Sequence, residues 1–546
     1  MRVFREIDAG QKSPVRPEEK LPSIEMENRW RGPRYTPEGY HRLRRSGRMH
    51  RQWRQYYILA ALVLICSGIL YLAFFSETKT QVSGPLPLEE SSASVPEESS
   101  QGEMAAVGEG LAAAQKVRVL LSAPEGGYIH RRLEIECGEN AWLEEGMQVQ
   151  ALASGEKLIL EGGVWNYGLD TIRLSSTGQE ACFTILSMTN ALGDAPVYRG
   201  SMEITRCEGG YQIINEVYLE QYLYSVITSE MPESFGLEAL KAQAVCARSY
   251  ALKRCGQGLY AQYGADLDDS VSSQTYNDWP ETELAVQAVE GTRGVVLEED
   301  GEIISANYFS TSCGMRADYA DAWLVGTGIA GPACLMGGRE YTAPEYGDLS
   351  VEENFRRFIA DDGIEALEAD AAWFRWSVTI PAAELENQIS VVLAGLGSAY
   401  VTQLNGAGTE FVEDDGAGIG DLQAVYVYDR ASSGLIRSVL LQGSMKTVKV
   451  TGEYNIRRLL APTDSTLVKA DGSTENKMSA LPSAFWYADH QMGEDGTLIS
   501  VTFYGGGYGH GVGMSQNGAD KMAEQGYTWE EILEYFFNQV RIETVY

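Results

Sequence analysis

The segment Ser229–Tyr250, SEMPESFGLEALKAQAVCARSY, joins two stretches of helical character across a proline. In the part that leads into it, VYLEQYLYSVITSEM (217–231), the apolar side chains recur at i, i+3, i+4, i+7 and i+8: Leu219, Tyr222, Leu223, Val226 and Ile227. This spacing predicts a helix with one face in the protein core. Glu230 occupies position i+11 of the same stripe, so its phase places a carboxyl group beside the buried face.

Glu230 also lies where this helix is expected to end. Pro232 disfavours helical geometry at Met231, so the helix should stop near Glu230. The negative end of the helix dipole and the loss of water both raise the pKa of a carboxyl group there. A glutamate that stays protonated near neutral pH can act as a general acid. The alternative is a terminal glutamate that faces water, and the phase alone does not decide between the two.

The second stretch, LEALKAQAVCARSYAL (237–252), is rich in alanine and predicts a closely packed helix, within a helical region that we expect over 213–260. Lys241 and Arg248 lie on one stripe of this helix. They are candidates for orienting a substrate or stabilising charge. The alternative is that their stems pack on the core while their charged ends remain in water.

The composition excludes some functions and indicates a membrane anchor. The 546 residues carry a formal net charge of −33, although residues 1–54 are basic, so the remainder is strongly acidic and a poor match for nucleic acid. Tyr56–Phe75 carries no charge over about 20 residues, the length that crosses a bilayer as a helix. A buried core helix is the alternative. Since arginines precede the segment and no signal-peptidase site is obvious, we expect an uncleaved anchor with residues 1–54 in the cytoplasm.

The chain after the anchor is expected to be a tether followed by one large domain. Residues 77–116 are rich in Ser, Glu, Pro and Gly and predict a disordered linker. The predicted segments are therefore 1–54 (cytoplasmic), 55–76 (transmembrane), 77–116 (linker) and 117–546 (extracytoplasmic domain). Of eight cysteines, Cys66 falls in the anchor, and an odd number remains outside. Cys313 and Cys334 are candidates for a disulfide bond or a metal site, and neither is established.

The large domain is predicted to be α+β, a strand-rich sheet domain with packed helices behind the transmembrane helix. Short β-like runs alternate with turn signals from about Lys116, and no regular βαβ order occurs. Asp300-Gly301 predicts a hairpin turn. Ser515 is expected to cap one C-terminal helix, and Thr528 with Glu531 should form a capping box on another.

The glycine-rich segment YGGGYGHGVGMSQNG (504–518) does not fit a phosphate-binding loop. It has no G-x-G-x-x-G register and no G-K-[ST], so we expect its glycines to allow close approach of backbone to backbone or to a ligand. His510 lies among them. A histidine in such a glycine-rich loop more often has a polar role than a place in the core. H-E-x-x-H, C-x-x-C and G-x-S-x-G motifs are absent from the sequence.

Several segments together resemble the stage II sporulation protein D family, which includes the amidase enhancers. They are LEQYLYSVITSEMPESFGLEALKAQAVCARSYAL, SSQTYND, AVEGTRGVVLEEDGEII, YFSTSCGMRADYADAW, DRASSGLIRSVLLQG, YNIRRLL, LPSAF and GGGYGHGVGMSQNGADKMAEQGYTWEEILEYFF. They follow the family order, and the resemblance covers roughly 118–546. E-M-P followed by A-L-K-A-Q-A-V, and G-Y-G-H-G-V-G-M-S-Q, are highly specific.

This resemblance implies a lytic transglycosylase that cleaves peptidoglycan strands stripped of stem peptides, in engulfment during sporulation. It makes Glu230, in the E-M-P motif, the catalytic residue. As an acid, Glu230 would protonate the glycosidic oxygen, and as a base it would accept the proton of the muramoyl C6 hydroxyl. The residues expected to bind the strand share the family motifs: Lys241, Arg248, Gln274, Ser310, Thr311, Ser312, His510, Ser515 and Gln516.

The chain departs from the family pattern at Phe309. Relatives commonly have a histidine there, which some use with nearby cysteines to hold zinc. Phenylalanine is not a metal ligand, and Cys313 alone would not make a four-ligand structural zinc site, so we expect no cofactor. The expected partners are peptidoglycan strands, the membrane, a cell-wall amidase and other engulfment proteins. The rival hypothesis is a non-catalytic wall-binding protein that stimulates an amidase.

Overall fold

A computed structural model describes residues 115–176, 182–343 and 345–546. The predicted cytoplasmic segment, the anchor Tyr56–Phe75 and nearly all of the tether lie outside the described residues. Within the described ranges, no helix has both the length and the apolar character needed to span a bilayer. The anchor and the domain boundaries therefore stay predictions.

The first part of the described chain consists of strands. They are β1 (Lys116–Leu120), β2 (Arg132–Cys137), β3 (Ala141–Glu145), β4 (Gln148–Leu152), β5 (Lys157–Glu161), β6 (Thr171–Ser175), β7 (Cys182–Ile185), β8 (Val197–Arg199), β9 (Ser201–Cys207), β10 (Gly210–Tyr218) and, after two helices, β11 (Leu267–Asp268). They form a seven-stranded sheet in the order β11-β1-β10-β9-β6-β3-β4 and a four-stranded sheet in the order β5-β2-β7-β8.

Helices follow β10 and carry the E-M-P motif. They are α1 (Leu219–Glu230), α2 (Gly236–Cys255) and α3 (Glu283–Gly291). The helical region predicted over 213–260 thus begins too early, because 213–218 extends β10 and pairs with β9 and β1. The predicted apolar stripe of α1 is confirmed, since its five members are at most 1% exposed. Alanines cover most sides of α2 and are buried, which lets neighbouring helices approach closely.

The remainder of the chain alternates short helices with further sheets. The helices are α4 (Tyr319–Trp323), α5 (Glu352–Ala360), α6 (Ala382–Gly395), α7 (Glu453–Leu459), α8 (Gln516–Glu524) and α9 (Trp529–Phe536). The strands are β12 (Val295–Glu299), β13 (Glu302–Ile303), β14 (Tyr308–Phe309), β15 (Tyr341–Ala343), β16 (Glu365–Ala366), β17 (Trp376–Pro381), β18 (Val401–Leu404), β19 (Phe411–Glu413), β20 (Leu422–Arg430), β21 (Ile436–Gly443), β22 (Thr447–Thr451), β23 (Thr466–Lys469), β24 (Thr474–Asn476), β25 (Trp486–Met492), β26 (Leu498–Gly505), β27 (Met514–Ser515) and β28 (Arg541–Thr544).

Sheet pairing places the sequence motifs next to one another. Two five-stranded sheets have the orders β24-β23-β17-β26-β25 and β19-β18-β22-β21-β20, while β12 pairs with both β13 and β28. The parallel pair β14–β27 sets Tyr308 opposite Met514 and Phe309 opposite Ser515. The segment YFSTS is therefore joined to the glycine-rich segment. The predicted α+β class, with strand-rich sheets and packed helices, is confirmed for the described residues.

Local capping and turn predictions are also confirmed. Asp300 (φ 54°) and Gly301 (φ 83°) form the turn between β12 and β13, where left-handed backbone favours Asp-Gly. The Ser515 side chain accepts from the N–H of Gly518 at the start of α8. Thr528 and Glu531 form the expected capping box on α9. Most buried apolar side chains belong to one cluster that reaches from Val117 to Phe537, so these elements share a core.

Candidate functional site

The site is centred on Glu230 at the last position of α1. Met231 is extended (φ −141°, ψ 129°), so the helix ends where Pro232 requires. The N–H of Met231 still bonds the carbonyl of Ile227, which keeps the last turn intact. Glu230 is partly exposed while Val226 and Ile227 are fully buried. Its carboxyl group is therefore held beside an apolar face and remains within reach of a ligand.

Segments far apart in the chain surround Glu230. The N–H of Thr275 donates to its Oε1 at 2.6 Å. The side chains of Tyr308 and Gln516 also hydrogen-bond the carboxyl group. In addition, Nε2 of Gln516 donates to the backbone carbonyl of Glu230 at 3.0 Å. Among the described residues, the groups that hydrogen-bond this carboxyl are amide or hydroxyl donors, which suit an ionised carboxylate.

Burial raises the pKa of the Glu230 carboxyl group above its ordinary value. The hydrogen bonds from Thr275, Tyr308 and Gln516 act in the opposite direction, and the effect of burial is the larger one. The arrangement therefore favours the protonated acid and also supplies donors that suit the ionised carboxylate.

Gln274 supports this site indirectly, by hydrogen-bonding Tyr308. Its Nε2 donates to the hydroxyl of Tyr308 at 3.1 Å and to the carbonyl of Ala247 at 3.3 Å, and its Oε1 accepts from Tyr222 at 3.2 Å. Gln274 is buried, so its amide orients the Tyr308 hydroxyl toward Glu230. Burial raises the pKa of Tyr308 well above its ordinary value, so its hydroxyl remains a donor. Tyr308 and Thr275 were not among the predicted site residues.

His510 is engaged within the protein on both ring nitrogens. Its Nδ1 accepts from the N–H of Val512 at 3.1 Å, which leaves the proton on Nε2, where the ring bonds the backbone of Tyr308. Burial and the nearby charge of Arg457 lower the pKa of His510 to about 3. The imidazole is therefore neutral at physiological pH and fixes the strand that carries Tyr308.

The predicted hydroxyl cluster lies on the loop that follows Tyr308. Asn517 connects this loop to α8, since its Nδ2 donates to the carbonyl of Ser310 at 2.9 Å and to Oγ1 of Thr311 at 3.1 Å. Thr311 and Ser312 are buried, whereas Ser310 is partly exposed. Of the three, Ser310 is the one best placed to meet a ligand.

The glycines of 504–518 allow backbone to approach backbone, as expected. A Cβ on Gly513 would lie 2.0 Å from the carbonyl oxygen of Asn307, and Gly513 has a φ of 81°. A Cβ on Gly509 (φ 114°) would lie 2.7 Å from Cβ of Phe309. Side chains at these positions would push the His510 segment away from the strand that carries Tyr308.

The structure does not bring Lys241 and Arg248 into contact with Glu230. Lys241 pairs with Glu238 on its own helix at 2.7 Å. Arg248 is 0% exposed, and its guanidinium donates to Glu220 and to the carbonyls of Val289 and Val295. The prediction that Arg248 binds the substrate is wrong, because its donors are used inside the core. The alternative expectation, that the charged end of Arg248 remains in water, is wrong as well.

A buried carboxyl group that no sequence motif indicated joins two loops of the site. Oε2 of Glu368 accepts from the N–H of Ser312 at 2.9 Å and from Oγ of Ser515 at 2.8 Å. Burial and the neighbouring Glu340 raise the pKa of Glu368 well above its ordinary value, while Arg316 forms an ion pair with Glu340. Glu368 is therefore held neutral and positions both loops.

Replacing Glu368 tests this positioning role. Glu368→Gln keeps a neutral acceptor and should fold normally, whereas Glu368→Leu leaves the buried N–H of Ser312 unpaired, at a cost of about 1–3 kcal/mol. Because the folded-state pKa is raised, the folded protein holds a proton that the unfolded chain releases. The free energy of unfolding should thus fall as pH rises above the ordinary carboxyl range, and less steeply in Glu368→Gln. Denaturant titration at several pH values measures both effects, and equal stability of the two variants would contradict the role.

The residues near Phe309 do not fit a zinc site. Phe309 is buried and its ring lies 5.8 Å from that of His510. Burial raises the pKa of the Cys313 thiol to about 12, which disfavours the thiolate that zinc requires. Cys313 and Cys334 are not bonded to each other. In the described ranges, no three His, Cys, Asp or Glu side chains are grouped as metal ligands.

Comparison with known proteins bears on this site. Residues 207–298, which contain Glu230 and Thr275, match the family described as "Stage II sporulation protein". Residues 340–513 match a family described as a domain of unknown function. The first match covers α1–α3 and ends before Tyr308, so part of the surroundings of Glu230 comes from outside it.

Curated relatives agree with the first match. The chain is 24% identical over 385 residues to the stage II sporulation protein D of Bacillus subtilis (strain 168), covering 67% of this chain and 88% of that protein. It is 23% identical over 326 residues to the amidase enhancer of the same organism, covering 58% of this chain but only 39% of the enhancer. An uncharacterized protein of Brachyspira hyodysenteriae is 25% identical over 346 residues, covering 63% of this chain and 72% of that protein. Residues 207–298 are therefore a domain of the stage II sporulation protein family, and the chain is similar to members named stage II sporulation protein D.

Proposed function

We propose that the chain is a membrane-anchored lytic transglycosylase that cleaves peptidoglycan strands, with Glu230 as its acid and base. The observation that carries the proposal is a partly exposed glutamate whose pKa is raised by burial and whose carboxyl group meets donors from Thr275, Tyr308 and Gln516. Membership of a family named for sporulation supports a role in engulfment or wall remodelling.

The proposed reaction needs one carboxyl group. Glu230 donates its proton to the glycosidic oxygen as the bond to C1 of the muramoyl sugar breaks. The C6 hydroxyl of the same sugar then attacks C1 and passes its proton to the Glu230 carboxylate, which restores the acid. The product is a 1,6-anhydro end, and no water is consumed. The N–H of Thr275 and the hydroxyl of Tyr308 stabilise the carboxylate between the two transfers.

A glycoside hydrolase would ordinarily place a second carboxylate about 5–9.5 Å from the acid. Among the described residues, the side chains that hydrogen-bond Glu230 belong to Thr275, Tyr308 and Gln516, and none is a carboxylate. Digestion of purified, peptide-free glycan strands with mass analysis of the ends tests the proposal. Anhydro ends are expected, whereas reducing ends would indicate hydrolysis.

The second candidate function is a non-catalytic wall-binding protein that stimulates a partner amidase. It is favoured by the relative named amidase enhancer, although this chain spans only 39% of that protein. Both hypotheses require wall binding, so binding does not separate them. Intact glycan strands after digestion, together with faster turnover by an added amidase, would favour the second candidate.

We expect catalysis without zinc, because Phe309 stands where a ligand would be needed and Cys313 remains a thiol. Treatment with a chelator should leave the rate of glycan cleavage unchanged, and elemental analysis should find less than one zinc per chain. Stoichiometric zinc that is lost together with activity would contradict this expectation.

We propose that residues 1–54 lie in the cytoplasm and the large domain lies outside the membrane. The charge-free segment Tyr56–Phe75 follows an arginine cluster, which supports this orientation. Protease added to wall-free intact cells should degrade the large domain and spare an N-terminal tag. A protected large domain would exclude this topology.

A further inference from the structure

Two partly exposed tryptophans flank the group formed by Glu230, Tyr308 and His510. Trp279 is 45% exposed and Trp323 is 41% exposed. A tryptophan exposes a large apolar surface, and such surfaces beside a polar site often contact a ligand.

Trp279 is fixed to the end of α1 by its backbone. Oγ of Ser229 accepts from the N–H groups of Trp279 at 3.2 Å and Asp278 at 3.1 Å, and Thr228 donates to the carbonyl of Trp279 at 3.3 Å. Ser229 immediately precedes Glu230, and Thr275 of the same segment bonds the Glu230 carboxyl group. These bonds hold the backbone of Trp279 beside the end of α1, one residue from the acid.

Trp323 is fixed on the side of the glycine-rich segment by its ring. The centroid of the Trp323 ring lies 4.9 Å from that of the His510 ring and 4.7 Å from that of the Tyr319 ring. The ring of His510 in turn lies 5.8 Å from that of Phe309, the residue after Tyr308. Trp323 is therefore packed, through His510, on the side of β14, the strand that carries Tyr308.

We propose that Trp279 and Trp323 form two sugar-binding subsites, each stacking on one pyranose ring of the strand near the bond that Glu230 protonates. This inference rests on the proposed function. The axial C–H face of a pyranose is apolar and packs on an aromatic face, while its hydroxyl groups stay in water.

Stacking contacts away from the reacting atoms hold the substrate and the transition state about equally. Loss of either indole should therefore raise KM and leave kcat nearly unchanged. A purely structural role would instead lower the thermal stability. The two readouts distinguish a subsite from a packing residue.

The test uses the full chain in detergent with Glu230→Gln as background, so that binding is measured without cleavage. The probes are a β-1,4-linked N-acetylglucosamine hexamer and purified peptide-free glycan strands, with affinity measured from tryptophan fluorescence. Trp279→Ala and Trp323→Ala should each weaken binding by about 3- to 10-fold, while Trp279→Phe and Trp323→Phe should retain most of it. Trp142→Ala is the matched control, because Trp142 is 40% exposed on β3 and should not affect binding.

Unchanged affinity in both alanine variants, or a change no larger than in Trp142→Ala, would overturn the subsites and leave the proposed function intact. Strand digestion by the parent chain tests the proposed function independently of the two tryptophans. If the parent does not cleave but binding still depends on the two tryptophans, the proposed reaction fails and the binding surface stands.

Discussion

Glu230→Gln is expected to lower the rate of anhydro-end formation by about 10²–10⁴-fold and to leave glycan binding intact, since general acid–base catalysis contributes on that order. Glutamine nearly matches glutamate in shape and still accepts from the N–H of Thr275. It has no proton to give to the glycosidic oxygen and cannot take one from the C6 hydroxyl. Initial rates of strand cleavage with mass analysis measure the effect.

Glu233→Gln is the matched control for this variant. Glu233 is exposed, lies just past the E-M-P motif and should tolerate the change. Glu238 lies outside the motif too, and Glu238→Gln should also cleave normally, although Glu238 pairs with Lys241 and accepts from the N–H of Trp529. Because of these contacts, Glu238→Gln is a weaker control than Glu233→Gln. Parental cleavage by Glu230→Gln would refute the assignment and leave the wall-binding hypothesis ahead.

Arg248→Met is expected to reduce the free energy of unfolding by about 3–5 kcal/mol, because removal of one partner leaves a buried charge uncompensated. Nε and Nη2 of Arg248 donate to the two carboxylate oxygens of Glu220 at 2.8 and 2.6 Å. Tyr546 and the N–H of Gly294 bond the same carboxylate. Denaturant unfolding measures the loss.

The double variant Glu220→Gln/Arg248→Met provides the control. It removes both charges, so it should be less destabilised than Arg248→Met alone. Any Arg248→Met protein that remains folded should bind glycan strands like the parent. Normal stability with lost binding would instead restore the substrate-binding role that the sequence predicted for Arg248.

Local patterns predicted the parts of the site that depend on neighbours in the chain. The stripe of α1, the stop before Pro232 and the cap at Ser515 each follow from a few adjacent residues. Arg248 was misassigned because α2 has alanines on most sides, so its periodicity does not show which positions meet solvent. Glu368 and Tyr308 acquire their roles through tertiary pairing, such as β14 with β27, which local spacing does not encode. Whether the predicted hydroxyl residues and Lys241 bind glycan stays a prediction.

The contact between Gln516 and Glu230 joins residues 286 positions apart, and that between Ser515 and Glu368 joins residues 147 apart. Closing such long loops is slow compared with forming α1 itself, so the acid should acquire its donors late in folding. The proposed topology requires the chain to cross the membrane unfolded. The chain would then lack glycan-cleaving activity during synthesis and export. Glycan cleavage would begin only where folding is completed, beside the wall.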